Sequence, residues 1–61
     1  MIQLIIYSVD GERTYSIESP DPKEVIEFNQ KFGHEGCDYQ MEVDGKDLEM
    51  PEIEKWFGEN Q

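Results

Sequence analysis

Ile2-Gln3-Leu4-Ile5-Ile6-Tyr7-Ser8-Val9-Asp10-Gly11-Glu12-Arg13-Thr14-Tyr15-Ser16-Ile17-Glu18-Ser19 reads as two β-prone runs folded back about Asp10-Gly11. Asp-Gly supplies the two positive-φ positions of a tight type I′ turn, so Ile2 to Val9 and Glu12 to Ser19 are expected to form an antiparallel hairpin. With Val9 facing Glu12, Leu4 meets Ile17 and Ile6 meets Tyr15 on one face, and Ile5 meets Ser16 and Tyr7 meets Thr14 on the other. Strand side chains alternate strictly, so this register gathers the apolar pairs onto a single face, as a core requires. The first run carries more than one apolar face, however. Ile2, Leu4 and Ile6 point one way while Ile5, Tyr7 and Val9 point the other, which reads as a central strand covered on both sides. One helix cannot cover both faces. The second is expected to lie under the short C-terminal helix or under another molecule, a homodimer being the commonest such arrangement.

Outward from the hairpin, Ser19-Pro20-Asp21-Pro22 ends the second strand, because proline removes ladder donors and fixes φ. A helix follows over roughly Pro22 to Phe32. Asp21 caps it, Pro22 suits the first position, and Glu24 stands three residues after the cap in a capping-box arrangement. Val25, Phe28 and Phe32 form its apolar stripe with Ile26 at the edge, and Gly33 is placed to close it in a left-handed conformation. Beyond His34-Glu35-Gly36-Cys37-Asp38 the hairpin pattern returns. Tyr39 to Val43 alternates, Asp44-Gly45 makes a second turn, Met41 meets Leu48, and Glu42 meets Asp47. Pro51 then opens a last helix of about two turns, with Ile53, Trp56 and Phe57 on one side before Gly58. Alone it is marginal and must be held by docking Trp56 and Phe57.

The chain therefore reads as a single α+β domain over residues 1–61 in the order ββαββα. It has about four antiparallel strands in two Asp-Gly hairpins, one long helix across one face and a short C-terminal helix. Val-Asp-Gly recurs at 9–11 and 43–45, but the spacers between strand and helix differ, and shared turn chemistry explains the match as well as duplication does. The pairing order between the hairpins is not readable.

Composition narrows the function classes. Fifteen acidic against five basic residues give a formal net charge of -10 in 61 residues. Seven aromatics at ordered spacings separate the chain from acidic disordered segments, which lack them. A surface this negative repels nucleic acid and anionic membranes, so neither is expected as a direct partner. With one cysteine there is no internal disulfide, and oligomerisation or a partner is the remaining way to reinforce so small a core. No apolar run approaches the ~20 residues of a membrane span, and Met1 leads directly into a strand without a basic leader, so a cytoplasmic location is expected.

Few residues invite chemistry. His34 and Cys37 have a spacing that lets both reach one zinc ion, and two copies of the chain would complete a four-ligand set. Two ligands are half a site, and polar residues with glycine are ordinary in a helix-to-strand loop. As a nucleophile Cys37 is poorly placed, since it follows a helix C-terminus and is flanked by Glu35 and Asp38, which disfavour a thiolate. The acids from Glu42 to Glu49 lack the spacing of a calcium loop, and no phosphate-cradling glycine loop occurs. No cofactor and no enzymatic activity are expected.

What remains is the acidity. Some of it has local causes, in the helix starts at Asp21, Glu24, Glu52 and Glu54 and in the turns at Asp10 and Asp44. Glu42, Asp47 and Glu49, with Asp44 at the turn between them, also crowd the second hairpin as one acidic face, with Glu42 opposite Asp47, where like charges destabilise pairing. This surface is expected to engage a basic surface of a partner protein, in particular that of a nucleic-acid-binding protein. The chain would then act as an inhibitor or DNA mimic, and its small size and charge fit carriage by a phage or mobile element. The plainer account is that the acids only keep a small protein soluble. The alternative function is a structural or adaptor homodimer whose apolar contacts, through Tyr7, Trp56 and Phe57, carry the interaction.

Overall fold

The computed structural model describes residues 1–60. Its elements are β1 (Ile2–Tyr7), β2 (Thr14–Ser19), α1 (Pro22–Phe32), β3 (Asp38–Val43), β4 (Lys46–Leu48) and α2 (Met50–Asn60). The four strands form one antiparallel sheet in the order β2-β1-β3-β4, so the chain is α+β and β1 lies inside the sheet.

β1 pairs with β2 through Leu4–Ile17, Ile6–Tyr15, Ile5–Ser16 and Tyr7–Thr14. The turn between them differs from the two-residue form expected. Only Gly11 has positive φ there, at 75°, and the loop spans the four residues Val9 to Glu12. Gly11 N–H donates to Ser8 O and Ser8 N–H to Arg13 O, both at 2.9 Å. The cause is Asp10. Its carboxylate accepts from Ser8 Oγ at 2.5 Å and from Glu12 N–H at 3.0 Å, fixing an aspartate turn in place of a left-handed residue. These two bonds hold the Asp10 carboxyl below its usual range. β1 accordingly stops at Tyr7, and Val9 stands 69% exposed in the loop instead of on a strand face. At the second hairpin both Asp44 (φ 52°) and Gly45 (φ 84°) are left-handed, and the pairs are Met41–Leu48, Glu42–Asp47 and Val43–Lys46.

One face of the sheet is the core. Ile2, Leu4 and Ile6 of β1 and Met41 of β3 are buried there beneath Val25 of α1 and Ile53 of α2. Tyr15 stacks on Phe32 at 4.8 Å between ring centroids, Phe28 meets Phe32 at 4.7 Å, and Trp56 meets Phe57 edge-on at 5.3 Å. α1 packs on β2 and β1, α2 packs on β3, and the helices touch each other. Both helices thus cover the same face. α2 does not lie across the second face, because Ile53 must reach the cluster that Val25 already occupies.

Three helix details also depart from expectation. α2 has 11 residues, as many as α1, and runs through Gly58 instead of ending there after two turns. Glu24 does not reach back to the Asp21 N–H. Buried Ser19 relays instead, accepting from Asp21 N–H at 3.1 Å and donating to Glu24 Oε2 at 2.7 Å, while Asp21 Oδ1 caps Lys23 N–H at 3.0 Å. Gly33 is extended (φ -83°, ψ 138°), not left-handed. A Cβ there would lie 2.7 Å from both Asn29 O and the Tyr39 hydroxyl, so glycine is required by close approach. Among the described residues no helix is long and apolar enough to cross a membrane.

Candidate functional site

The other face of the sheet is covered by nothing among the described residues. Alternation from the register places Gln3, Ile5 and Tyr7 of β1 there, with Thr14, Ser16 and Glu18 of β2, Asp38, Gln40 and Glu42 of β3, and Asp47 of β4. Among the described residues four carboxylates and no base stand on it. Of the five basic residues, Arg13 is in the first loop, Lys23 and Lys31 are on α1, Lys55 is on α2, and Lys46 sits opposite Val43 on the core side, reaching Glu52 at 3.6 Å.

The geometry of the face follows from its ladders. Glu18, Gln3, Glu42 and Asp47 form one row across all four strands. Asp44 N–H donates to Met1 O at 3.1 Å, which sets the alternation: even-numbered residues of β3 bond to β1 and odd-numbered ones to β4. Glu42 and Asp47 are therefore a non-hydrogen-bonded pair, the closer kind, with Cα atoms about 4.5 Å apart. Ile5, half-buried, and Tyr7, 36% exposed, form an apolar strip at the middle of the face. The Tyr7 hydroxyl donates to Gln40 Oε1 at 2.9 Å and ties the strip to β3. A recess of about 70 Å³ opens on this face, bordered by Gln3, Ile5, Gln40, Met41, Glu42 and Asp47.

Of the four acids singled out in the second hairpin, the sheet brings Glu42 and Asp47 together and sets the other two apart. Asp44 occupies the turn, where its Oδ1 accepts from the Met1 ammonium at 2.9 Å. Glu49 lies beyond the end of β4 and caps α2: its N–H donates to Glu52 Oε1 at 3.2 Å and its carbonyl accepts from Ile53 N–H at 2.9 Å. Glu18 and Asp38 join the face instead. They belong to different hairpins, so no local sequence pattern links them, and only the β1–β3 pairing brings the hairpins onto one sheet.

The apolar candidates are divided between the two sides of the molecule. Tyr7 is on the open face, whereas Trp56 and Phe57 are half-buried against the core. His34 and Cys37 line a cleft of about 510 Å³ between the first hairpin loop and the end of α1, together with Tyr15, Lys31 and Phe32. His34 is exposed, but Cys37 is buried in the core cluster, and its N–H donates to His34 O at 3.1 Å. A zinc site shared between two copies would need that thiol at the surface. Among the described residues no group of three or more His, Cys, Asp or Glu side chains is placed to hold a metal ion. Burial, and to a lesser degree the charge of Cys37, raises the Tyr39 hydroxyl above its ordinary value.

Family models, curated proteins and solved structures give no match to this chain.

Proposed function

We propose that this chain is a small non-enzymatic binding protein whose open sheet face covers a basic surface on a partner protein, such as the nucleic-acid groove of a DNA- or RNA-binding protein. It would thereby act as an inhibitor or nucleic-acid mimic. The observation that carries the reading is the uncompensated carboxylate set Glu18, Asp38, Glu42 and Asp47 on a face that, among the described residues, no helix or loop covers. Adjacent strands are about 4.8 Å apart and alternate residues of a strand about 6.6–6.8 Å, which fixes the carboxylate spacing. A duplex presents one phosphate per roughly 3.4 Å on each strand, a density of the same order. Rigid strands hold the acids in place, and Ile5 and Tyr7 offer the apolar centre that binding surfaces surround with a polar rim.

The same charges oppose stacking of this face on a second copy of itself, which weighs against the homodimer alternative at this surface.

The test is binding to an immobilised Arg/Lys-rich nucleic-acid-binding protein, with duplex DNA as competitor. Affinity should fall steeply with salt and by at least about tenfold in a Glu18→Lys/Glu42→Lys variant. A Glu27→Lys/Glu54→Lys variant, equal in net charge but altered on the helices, should bind as the parent does. Equal losses in both variants would reduce the acidity to a bulk property and overturn the proposal.

A further inference from the structure

The two edges of the sheet are unlike. β4 has three residues and runs into the cap of α2, whereas β2 is an edge of six residues, Thr14–Ser19, with no proline, lysine or bulge inside it. Those are the devices that usually guard an exposed edge.

The direction of its backbone groups is fixed. Ser8 N–H donates to Arg13 O, so in the β1–β2 ladder Ser8–Arg13 is a hydrogen-bonded pair, and the pairs alternate from there. Tyr15, Ile17 and Ser19 bond to β1. The N–H and C=O groups of Thr14, Ser16 and Glu18 point away from the sheet, and among the described residues no side chain is hydrogen-bonded to them. A row of outward main-chain donors and acceptors fits one kind of occupant, an extended strand.

Side chains on the two sides of this edge specify that strand further. On the open side stand Thr14, Ser16 and Glu18, continuous through Gln3 with Glu42 and Asp47, and among the described residues the charges there are all negative. On the core side stand half-buried Tyr15 and Ile17. We infer that β2 is a docking edge for an extended segment of the basic partner, one in which Lys or Arg residues alternate with apolar ones. Added antiparallel or parallel to β2, such a segment sets its cations beside Glu18 and its apolar residues beside Tyr15 and Ile17. This rests on the basic-partner reading above and names the element through which the partner enters.

The experiment uses two peptides of one composition, Ac-Lys-Val-Lys-Val-Lys-Val-amide and Ac-Lys-Lys-Lys-Val-Val-Val-amide, with amide hydrogen exchange of the chain as a second readout. The alternating peptide should bind about tenfold tighter, the order expected from a few net main-chain hydrogen bonds, and should slow exchange at Thr14, Ser16 and Glu18. Ser16→Pro removes an outward donor without breaking a ladder bond and should abolish that preference with the fold intact. Equal binding of the two peptides without protection at these amides overturns the edge and leaves the acidic-face reading standing. Binding of neither peptide at low salt overturns both. Protection of the same amides in peptide-free protein at high micromolar concentration would assign the edge to a second copy and overturn the peptide role.

Discussion

At Gly33 the backbone is extended, a conformation any residue adopts, so the requirement for glycine there is one of space. Its N–H donates to Asn29 O at 2.7 Å, and Asn29 Oδ1 and the Tyr39 hydroxyl close in on the Cα where a side chain would begin. Gly33→Ala is therefore expected to cost about 1–3 kcal/mol, the range for overfilling a packed site. Asn29 Oδ1, the nearest atom, is buried without a hydrogen-bond partner, so Asn29→Ala removes the worst contact and gives up no bond. In urea unfolding the double variant should regain part of the loss. Strict additivity of the two changes would show that the crowding lies elsewhere. A glycine after a helix in the sequence signals an ending but not which of two reasons ends it, and here the reason is crowding, by Asn29 of the helix itself and by Tyr39 of the next strand.

Ser19 shows the same gap between local pattern and assembled element. Asp21, Pro22 and Glu24 suffice to place the start of α1, and α1 does begin at Pro22. The route by which Glu24 acts is not local, because it passes through a serine that strand pairing buries. Ser19→Ala leaves the Asp21 N–H without its acceptor and Glu24 without its donor, and should destabilise the chain by about 1–3 kcal/mol in denaturant unfolding. Asp21→Ala should cost less, about 1 kcal/mol, as for an exposed cap; the reverse order would mean that the cap, not the relay, holds the helix. Strand registers were legible because a slip of one residue turns every apolar side chain to the wrong face, and Leu4–Ile17 and Met41–Leu48 leave no other choice. Strand order and the side taken by α2 were not, since the apolar residues of β1 point both ways and nothing local says which face the helices claim. The candidate site inherits that limit. Glu42 opposite Asp47 could be read within one hairpin, Glu18 and Asp38 could not, and Glu49 looked like a strand residue until the cap of α2 claimed it.

For the molecule as a whole, the net charge of -10 divides into acids that do local work and acids that do none. Asp10, Asp21, Glu24, Asp44 and Glu52 each accept a hydrogen bond that shapes a turn, a helix start or the chain terminus. Glu42 and Asp47 accept none, among the described residues, and face each other across a strand pair, so their pairing opposes folding. Asp47→Lys converts that repulsion into attraction and should stabilise the fold by about 0.2–1 kcal/mol. Glu27→Lys, which changes net charge equally on α1, should gain less. The melting temperature of the parent should rise as added salt shortens the screening length to about 10 Å at 0.1 M, and the rise should be smaller in Asp47→Lys. Capture of a basic protein should weaken in the same variant, because the charge that costs stability is the charge proposed to bind. A variant more stable than the parent and poorer at binding is the outcome expected of a surface kept for a partner. If Asp47→Lys is instead less stable, the acid serves the fold, and the case for a docking face loses its physical ground.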